Sequence, residues 1–338
     1  MIKNAGIIGT GRVARHLAMR LKEEGYTEVF MANRSRYVHG SDYRDWGSRI
    51  FSTEDRCEEL LRLKPDIVFL AISTTDNGET ARDYIKFFAS RMIPVVTCEK
   101  GSLSHWAHKL EPHMTHVGYS ASVGGGTRML QYLQSCHPNK CDKIRIEAVV
   151  NGTLNFVFDE MSRGQRTIGE ACQEAIHLGY AEPGSHNPLD MINGELRDTV
   201  MKTSVIFNTV ISHNRFITPT ELDPVVLTVN QLERLTYEDE LYRMIVSFSK
   251  RTTERPRNYF GNRLFHACVD GWQIEGGFLR VGREHAWIPG GVGNAVHIIV
   301  GELGAGGMYT LSGPGAGLEP TTTAMFGDAQ ELLERERE

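Results

Sequence analysis

Apolar positions in the first hundred residues fall into short continuous runs separated by helical repeats. Ala5 to Ile8 is such a run. It meets Gly9-Thr10-Gly11-Arg12-Val13-Ala14, after which Val13, Leu17, Met19 and Leu21 recur with helical spacing. The reading is strand, tight turn, helix. A second strand is expected over Glu28 to Ala32. Pro65 to Ser73 reads as a buried strand ending in polar Thr74-Thr75-Asp76-Asn77-Gly78, with a helix from about Glu79 to Arg91. Pro94 to Cys98 is the next strand and ends at Glu99-Lys100-Gly101. Strands alternating with helices predict a parallel sheet covered on both faces, with ligands at the carboxyl ends of its strands. Gly9, Ser73, Thr74 and Lys100 all fall at such ends.

The pattern changes after about Thr127. Lys143 to Val150 predicts a strand, and Ile168 to Leu178 a helix that stops at Gly179. Tyr180-Ala181-Glu182-Pro183 opens a polar loop reaching Asp190. Asp198 and Lys202 stand four apart, so on a helix they share a face, most often as an exposed salt bridge. Ile274 to Val281 and Val292 to Val300 read as strands around a glycine-rich turn at Pro289-Gly290-Gly291. Gly313-Pro314-Gly315-Ala316-Gly317 precedes Pro320-Thr321, where a last helix with a threonine cap is expected to start. Asn151-Gly152 reads as a tight turn or as part of a site.

The first turn carries chemistry. Gly9 permits the sharp bend, Gly11 lets backbone approach a pyrophosphate, and Ala14 lets helix and strand pack closely. The amides that open the helix then face the phosphates. Gly9, Thr10, Gly11, Arg12 and Val13 are therefore candidate dinucleotide contacts, joined by Ser73, Thr74 and Lys100. The second strand ends in neutral Asn33, and Arg34-Ser35-Arg36 follows. An acidic residue there would favour the free ribose of NAD; arginines suit the 2′-phosphate of NADP. Asn33, Arg34 and Ser35 are thus expected to read that ribose. NADP is preferred and NAD remains possible. Three glycines in Ser120-Ala121-Ser122-Val123-Gly124-Gly125-Gly126 leave backbone exposed to a ligand or ion.

The expected fold class is α/β. A Rossmann-type, parallel-sheet nucleotide-binding domain takes residues 1–127 with 306–338, and an α+β substrate domain takes 128–305. The 338 residues exceed what one core usually spans. Hydrophobic residues at 41% and charged residues at 23% describe an ordinary globular enzyme. A net charge of −5 without a basic stripe argues against a nucleic-acid partner. No apolar run reaches membrane length. The N-terminus runs straight into the glycine motif, so no signal peptide and a cytoplasmic location are expected. Cysteines 57, 98, 136, 141, 172 and 268 are scattered and expected to be reduced; Cys136 and Cys141 match no zinc spacing.

Taken in order, these segments resemble the homoserine dehydrogenase family over nearly the whole chain. Gly9 to Ala14 is similar to its cofactor loop, and Val95-Val96-Thr97-Cys98-Glu99-Lys100 to its strand ending in Asn-Lys. Ala121 to Gly126 matches its Ala-Ser-Val-Gly-Gly-Gly run. Asn151-Gly152-Thr153-Leu154-Asn155-Phe156 and Leu178 to Pro183 resemble two further motifs. Gly291 to Val296, and Gly313 to Gly317 through Thr321, resemble its C-terminal signatures. The resemblance implies NAD(P)-dependent interconversion of L-homoserine and L-aspartate 4-semialdehyde, by a homodimer whose α+β domain carries the dimer contacts. It implies that Lys100 contacts the reacting oxygen and helps move its proton. Lys202 would polarise that oxygen, and Asp198 would orient the lysine or the substrate amine. Glu182 would bind the amino group of this small amino-acid substrate. Thr153, Tyr180, Gly152 and Asp190 would complete the pocket. Carbonyls of Val123 and Gly125 would be the candidates for a monovalent cation.

Four departures stand out. Ser120 occupies the place of a glutamate that helps hold the family's cation. Thr127-Arg128 replaces Ile-Pro. The stretch from Glu182 to Asp198 is longer than usual and rewritten as Pro183-Gly184-Ser185-His186-Asn187-Pro188. The chain also ends soon after Asp328, so threonine feedback through a regulatory domain is not expected. Two other readings stay open: a sister dehydrogenase acting on another small hydroxy amino acid or carbonyl, and a non-catalytic NADP-binding sensor. Retention of Lys100, Asp198 and Lys202 argues against the sensor.

Overall fold

Short buried strands and the helices between them dictate the first half of the architecture. In this computed structural model the described residues are 3–33, 37–39, 56–164, 166–181, 187–212, 214–235, 241–251, 262–315 and 317–335. They divide into two compact units, Met1–Ser122 with Leu318–Glu338, and Val123–Gly317.

The first unit holds strands β1 (Asn4–Ile8), β2 (Thr27–Ala32), β3 (Tyr37–His39), β4 (Ile67–Leu70), β5 (Val95–Thr97) and β6 (Val117–Gly118). Their order is β3-β2-β1-β4-β5-β6, parallel except where β3 runs against β2. The chain passes from β1 outward to β2, then crosses back to β4. That reversal makes the β1/β4 crevice the ligand-binding address of an open parallel sheet. Helix Arg12–Glu23 buries Ala14, Leu17, Ala18 and Leu21; of the repeat read in the sequence, Leu17 and Leu21 lie in this stripe, Val13 is half-buried and Met19 is exposed. The late helix Leu318–Arg335 joins the same core. Its Phe326 ring lies 5.6 Å from that of Phe69 and 6.3 Å from that of Tyr26. This helix starts two residues before the expected Pro320. A proline at the third helical position costs nothing, because the first four amides lack intrahelical acceptors. No threonine caps it as expected: the Thr322 hydroxyl donates back to the Leu318 carbonyl.

The second unit is built on β7 (Ile144–Val149), β8 (Tyr242–Lys250), β9 (Asn262–Val269), β10 (Trp272–Arg280), β11 (Gly293–Val300) and β12 (Gly307–Pro314). The order is β12-β11-β7-β8-β10-β9, antiparallel throughout. The sequence pattern anticipated three of these strands. It missed the hairpin signal Asp270-Gly271, two residues at φ 49° and 78° joining β9 to β10. It also assigned residues 306–317 to the nucleotide-binding domain. They belong to the second unit, because β12 pairs along its whole length with β11. Val123 to Thr127 fall in this unit too.

Two local expectations are corrected here. Asn151-Gly152 is no hairpin turn but the opening of helix Gly152–Gly164, with the Asn151 side chain accepting from the Leu154 amide at 2.8 Å. The polar loop does not run to Asp190. Helix Pro188–Ile206 begins first, with Asn187 as its cap and proline at the first helical position. Among the described residues, no helix is long and apolar enough to cross a membrane.

Candidate functional site

The first unit gathers its candidates at strand ends. Gly9 sits at φ 131°, and a side chain there would collide with the Ala71 carbonyl, so the turn after β1 demands glycine. Gly11 is different: a Cβ would meet nothing within 4 Å. No internal packing demands glycine there. Helix Arg12–Glu23 has no side-chain cap and no acid in its first turn. Its opening amides therefore suit an external anion, and the cradle fits a pyrophosphate. Gly11 and Arg12 are exposed, Thr10 and Val13 half-buried. Asn33 is half-buried directly after β2; Arg34 and Ser35 lie outside the described residues.

On the other side of the crevice, Ser73 is exposed and Thr74 half-buried in the loop after β4. Lys100 is half-buried where β5 gives way to helix Gly101–His105. Between them stands a residue that sequence reasoning passed over as a mere variant. Glu99 is 2% exposed. Its Oε1 accepts from the Thr74 hydroxyl at 2.5 Å and the Gly101 amide at 2.6 Å, and its Oε2 accepts from the Ser102 amide at 2.9 Å. The signal available beforehand was an acid immediately before a helix start. Burial pushes the neighbouring Cys98 thiol up to about 11, so at neutral pH it is a protonated, unreactive group. Ser120 donates through its amide and hydroxyl to the buried Asp328 carboxylate, at 2.8 and 2.6 Å. Serine at the place of the family's glutamate is thus a donor to a carboxylate from helix Leu318–Arg335.

The second unit gathers the substrate candidates around two helices. On Pro188–Ile206, Lys202 Nζ lies 2.8 Å from Asp198 Oδ2. The two side chains are only 15% and 19% exposed, unlike a solvated surface pair. One turn earlier, Glu195 receives the Asn151 amide on Oε2 at 2.7 Å and on its carbonyl at 3.1 Å. That tie sets the start of helix Gly152–Gly164 against the Asp198 helix. Gly152 itself is pressed to the Val292 carbonyl, 2.6 Å from where a Cβ would stand. Thr153 donates to the Tyr180 carbonyl at 2.8 Å, and the Tyr180 ring meets Phe156 edge-on at 5.1 Å. Gly152, Thr153 and Tyr180 are therefore brought together. Asp190 is exposed and paired with its own cap, Asn187, at 2.6 Å. Glu182 lies outside the described residues.

Further ties hold the glycine-rich turn. Asn155 Nδ2 donates to the carbonyls of Pro289, Gly291 and Gly293 at 2.8, 2.9 and 3.1 Å. Asp159 accepts from the Gly291 amide at 2.7 Å and pairs with buried Arg243 at 2.5 Å. Asn151, Glu195, Asp159 and Arg243 were not expected as site supports, since nothing local in sequence marks their long-range partners. Val123 and Gly125 are buried, with Gly124 and Gly125 both at positive φ and the Gly124 carbonyl engaged by the Thr127 amide. Among the described residues no group of three or more His, Cys, Asp or Glu could hold a metal. An ion at Val123 and Gly125 would rest on backbone carbonyls.

Comparison with known proteins gives a consistent answer. The model of the homoserine dehydrogenase family matches residues 130–329. Homoserine dehydrogenase of Saccharomyces cerevisiae is 25% identical over 271 residues, covering 74% of this chain and 73% of that protein. The Lactococcus lactis enzyme of the same name is 27% identical over 266 residues, covering 77% of this chain but 56% of that longer protein. Among solved structures, a hyperthermophilic archaeal homoserine dehydrogenase in complex with NADPH aligns with a TM-score of 0.72 at 21% identity. That alignment covers 99% of this chain and 98% of that one. Homoserine dehydrogenase from Thermoplasma acidophilum aligns at 0.71 and 18% identity, covering 99% and 100%. At such identities the structural likeness speaks for the fold.

Proposed function

The chain belongs to the homoserine dehydrogenase family, and from that premise we propose that it interconverts L-homoserine and L-aspartate 4-semialdehyde, with NADP in preference to NAD. The family consists of NAD(P)-dependent oxidoreductases acting on a CH–OH donor, and its match here spans more than half of the chain. The observation that carries the reading is the shielded Asp198–Lys202 pair inside the matched span.

A bound nicotinamide cofactor would supply the hydride acceptor for the alcohol and the hydride donor for the carbonyl. The chain supplies the rest. The uncapped start of helix Arg12–Glu23 binds the pyrophosphate. Lys202 presents an ammonium to the substrate oxygen, where negative charge grows as the carbonyl is reduced. Asp198, bonded to that ammonium, fixes its direction. Lys100 helps move the proton of the reacting hydroxyl. Glu182 takes the substrate amine, and Gly152, Thr153, Tyr180 and Asp190 complete the pocket. The carbonyls of Val123 and Gly125 are the site for a monovalent cation. A homodimer belongs to the same reading: β12 is an edge strand of its sheet and exposes Met308 and Tyr309.

The test is turnover. Purified protein with L-homoserine and NADP, then NAD, should produce reduced cofactor, read by absorbance, faster with NADP. Silence with homoserine but signal from other hydroxy amino acids would transfer the assignment to a sister dehydrogenase, the reading that the rewritten 183–188 stretch and Ser120 favour. Tight cofactor binding without any turnover would make the protein a sensor. Arg34→Ala should weaken NADP far more than NAD; equal weakening would dismiss its role at the 2′-phosphate.

A further inference from the structure

The loop after β4 runs through residue types that tolerate a left-handed backbone, and its surroundings fix it there. Asp76, Asn77 and Gly78 follow one another at φ 51°, 52° and 80°. Three successive left-handed residues, two of them with side chains, persist only where the surroundings impose them. Three contacts do so. A Cβ on Gly78 would collide with the backbone of Gly101 and Ser102, so the turn lies directly on the start of helix Gly101–His105. Glu99 gathers the Thr74 hydroxyl on one side and the Gly101 and Ser102 amides on the other. The Trp106 indole donates to the Asn77 carbonyl at 3.1 Å. Arg82, 4.2 Å from the Trp106 ring and itself paired with Glu79, backs the indole from outside.

We propose that Glu99 and Trp106 are positioning residues that latch the loop Thr74–Gly78 in the shape that receives the nicotinamide half of the cofactor. The proposal rests on the dinucleotide reading of the first unit. It also specifies what Thr74 offers. A hydroxyl has one hydrogen, and Glu99 takes it. Thr74 therefore meets the ligand as an acceptor, suited to a ribose O–H or a carboxamide N–H of the nicotinamide nucleoside. Glu99 Oε1 alone joins Thr74 to the Gly101 amide, and its second oxygen adds the Ser102 amide, an acceptor that the amide of the family's Asn-Lys would lack.

The test is NADPH binding to the full chain by fluorescence, alongside steady-state kinetics. Glu99→Ala removes the acceptor that Thr74, Gly101 and Ser102 share and should raise the NADPH Kd and the cofactor KM about tenfold. The homoserine KM should stay within about twofold, a split that general loss of stability would not produce. Thr74→Val should weaken NADPH similarly, and the double variant should be no weaker than the stronger single one, because both remove the same link. Trp106→Phe keeps the ring for Arg82 but loses the N–H, and should cost about threefold. NADPH binding within twofold of wild type in all three single variants, whatever their melting temperatures, would overturn the latch. Wild-type protein that binds neither NADPH nor NADH would overturn the dinucleotide reading, and the latch with it.

Discussion

The two units hold their polar groups by different means. In the first, the parallel sheet delivers Gly9, Thr74 and Lys100 to one crevice simply by ending its strands there. In the second, an antiparallel sheet has no such common edge. Its candidates are gathered by side-chain ties between helices and a glycine-rich turn: Asn151 to Glu195, Asn155 to three carbonyls, Asp159 to Arg243 and Gly291. Topology places one site; individual side chains assemble the other. The first should tolerate loss of a single tie better than the second.

Four experiments would break or sharpen that contrast. The largest effect belongs to Lys202→Met, which should lower kcat by about 10²–10⁴-fold, the usual worth of a group moving or stabilising charge at the reacting atom. NADPH affinity should hardly change; a loss of cofactor binding instead would erase the division of labour between the units. Next is Asp159→Ala. It leaves the Arg243 guanidinium buried without its partner and should cost about 3–5 kcal/mol in urea unfolding. A loss below 1 kcal/mol would mean that the tie is dispensable. Asn155→Ala deprives three carbonyls of one donor and should cost about 1–3 kcal/mol. With it, the homoserine KM should rise before the cofactor KM does.

The smallest effect is a pH dependence at His297. Burial lowers its pKa below the usual 6.5, opposed by Glu147 and assisted by Arg145 and His285. The folded state therefore favours the neutral ring, while the unfolded chain takes up a proton more readily. Its stabilisation is complete above pH 6.5 and is lost as the pH falls through the lowered value. His297→Gln should shrink the drop in melting temperature between pH 7.5 and 5. An unaltered drop would assign acid sensitivity elsewhere, with His105, whose pKa burial also lowers, the first to examine.

What the sequence disclosed follows the same contrast. The glycine turn, the four parallel strands up to Thr97 and the address of Thr74 and Lys100 were legible, because short buried runs and strand ends are local signals; the antiparallel β3 was not. Asp198 and Lys202 were legible as a helical pair, though their shielding was not. Asn151-Gly152 misled, since the same dipeptide that makes a tight turn can open a helix when the Asn side chain caps it. Strand β12 was missed because its exposed residues lack the alternation of a half-buried strand. Glu99 read as a weak match to asparagine; its meaning lies in Thr74, 25 positions away.

The helix Leu318–Arg335 carries one more consequence. It supplies Ala324, Met325, Phe326, Ala329, Leu332 and Leu333 to a core whose other members precede residue 122. During synthesis the second unit is complete before that helix leaves the ribosome. The parallel sheet, although made first, must wait with Phe69 and Tyr26 uncovered until nearly two hundred further residues have followed. Order of manufacture and order of completion are reversed, and the nascent sheet is the stage at which chaperones and proteases have the greatest purchase.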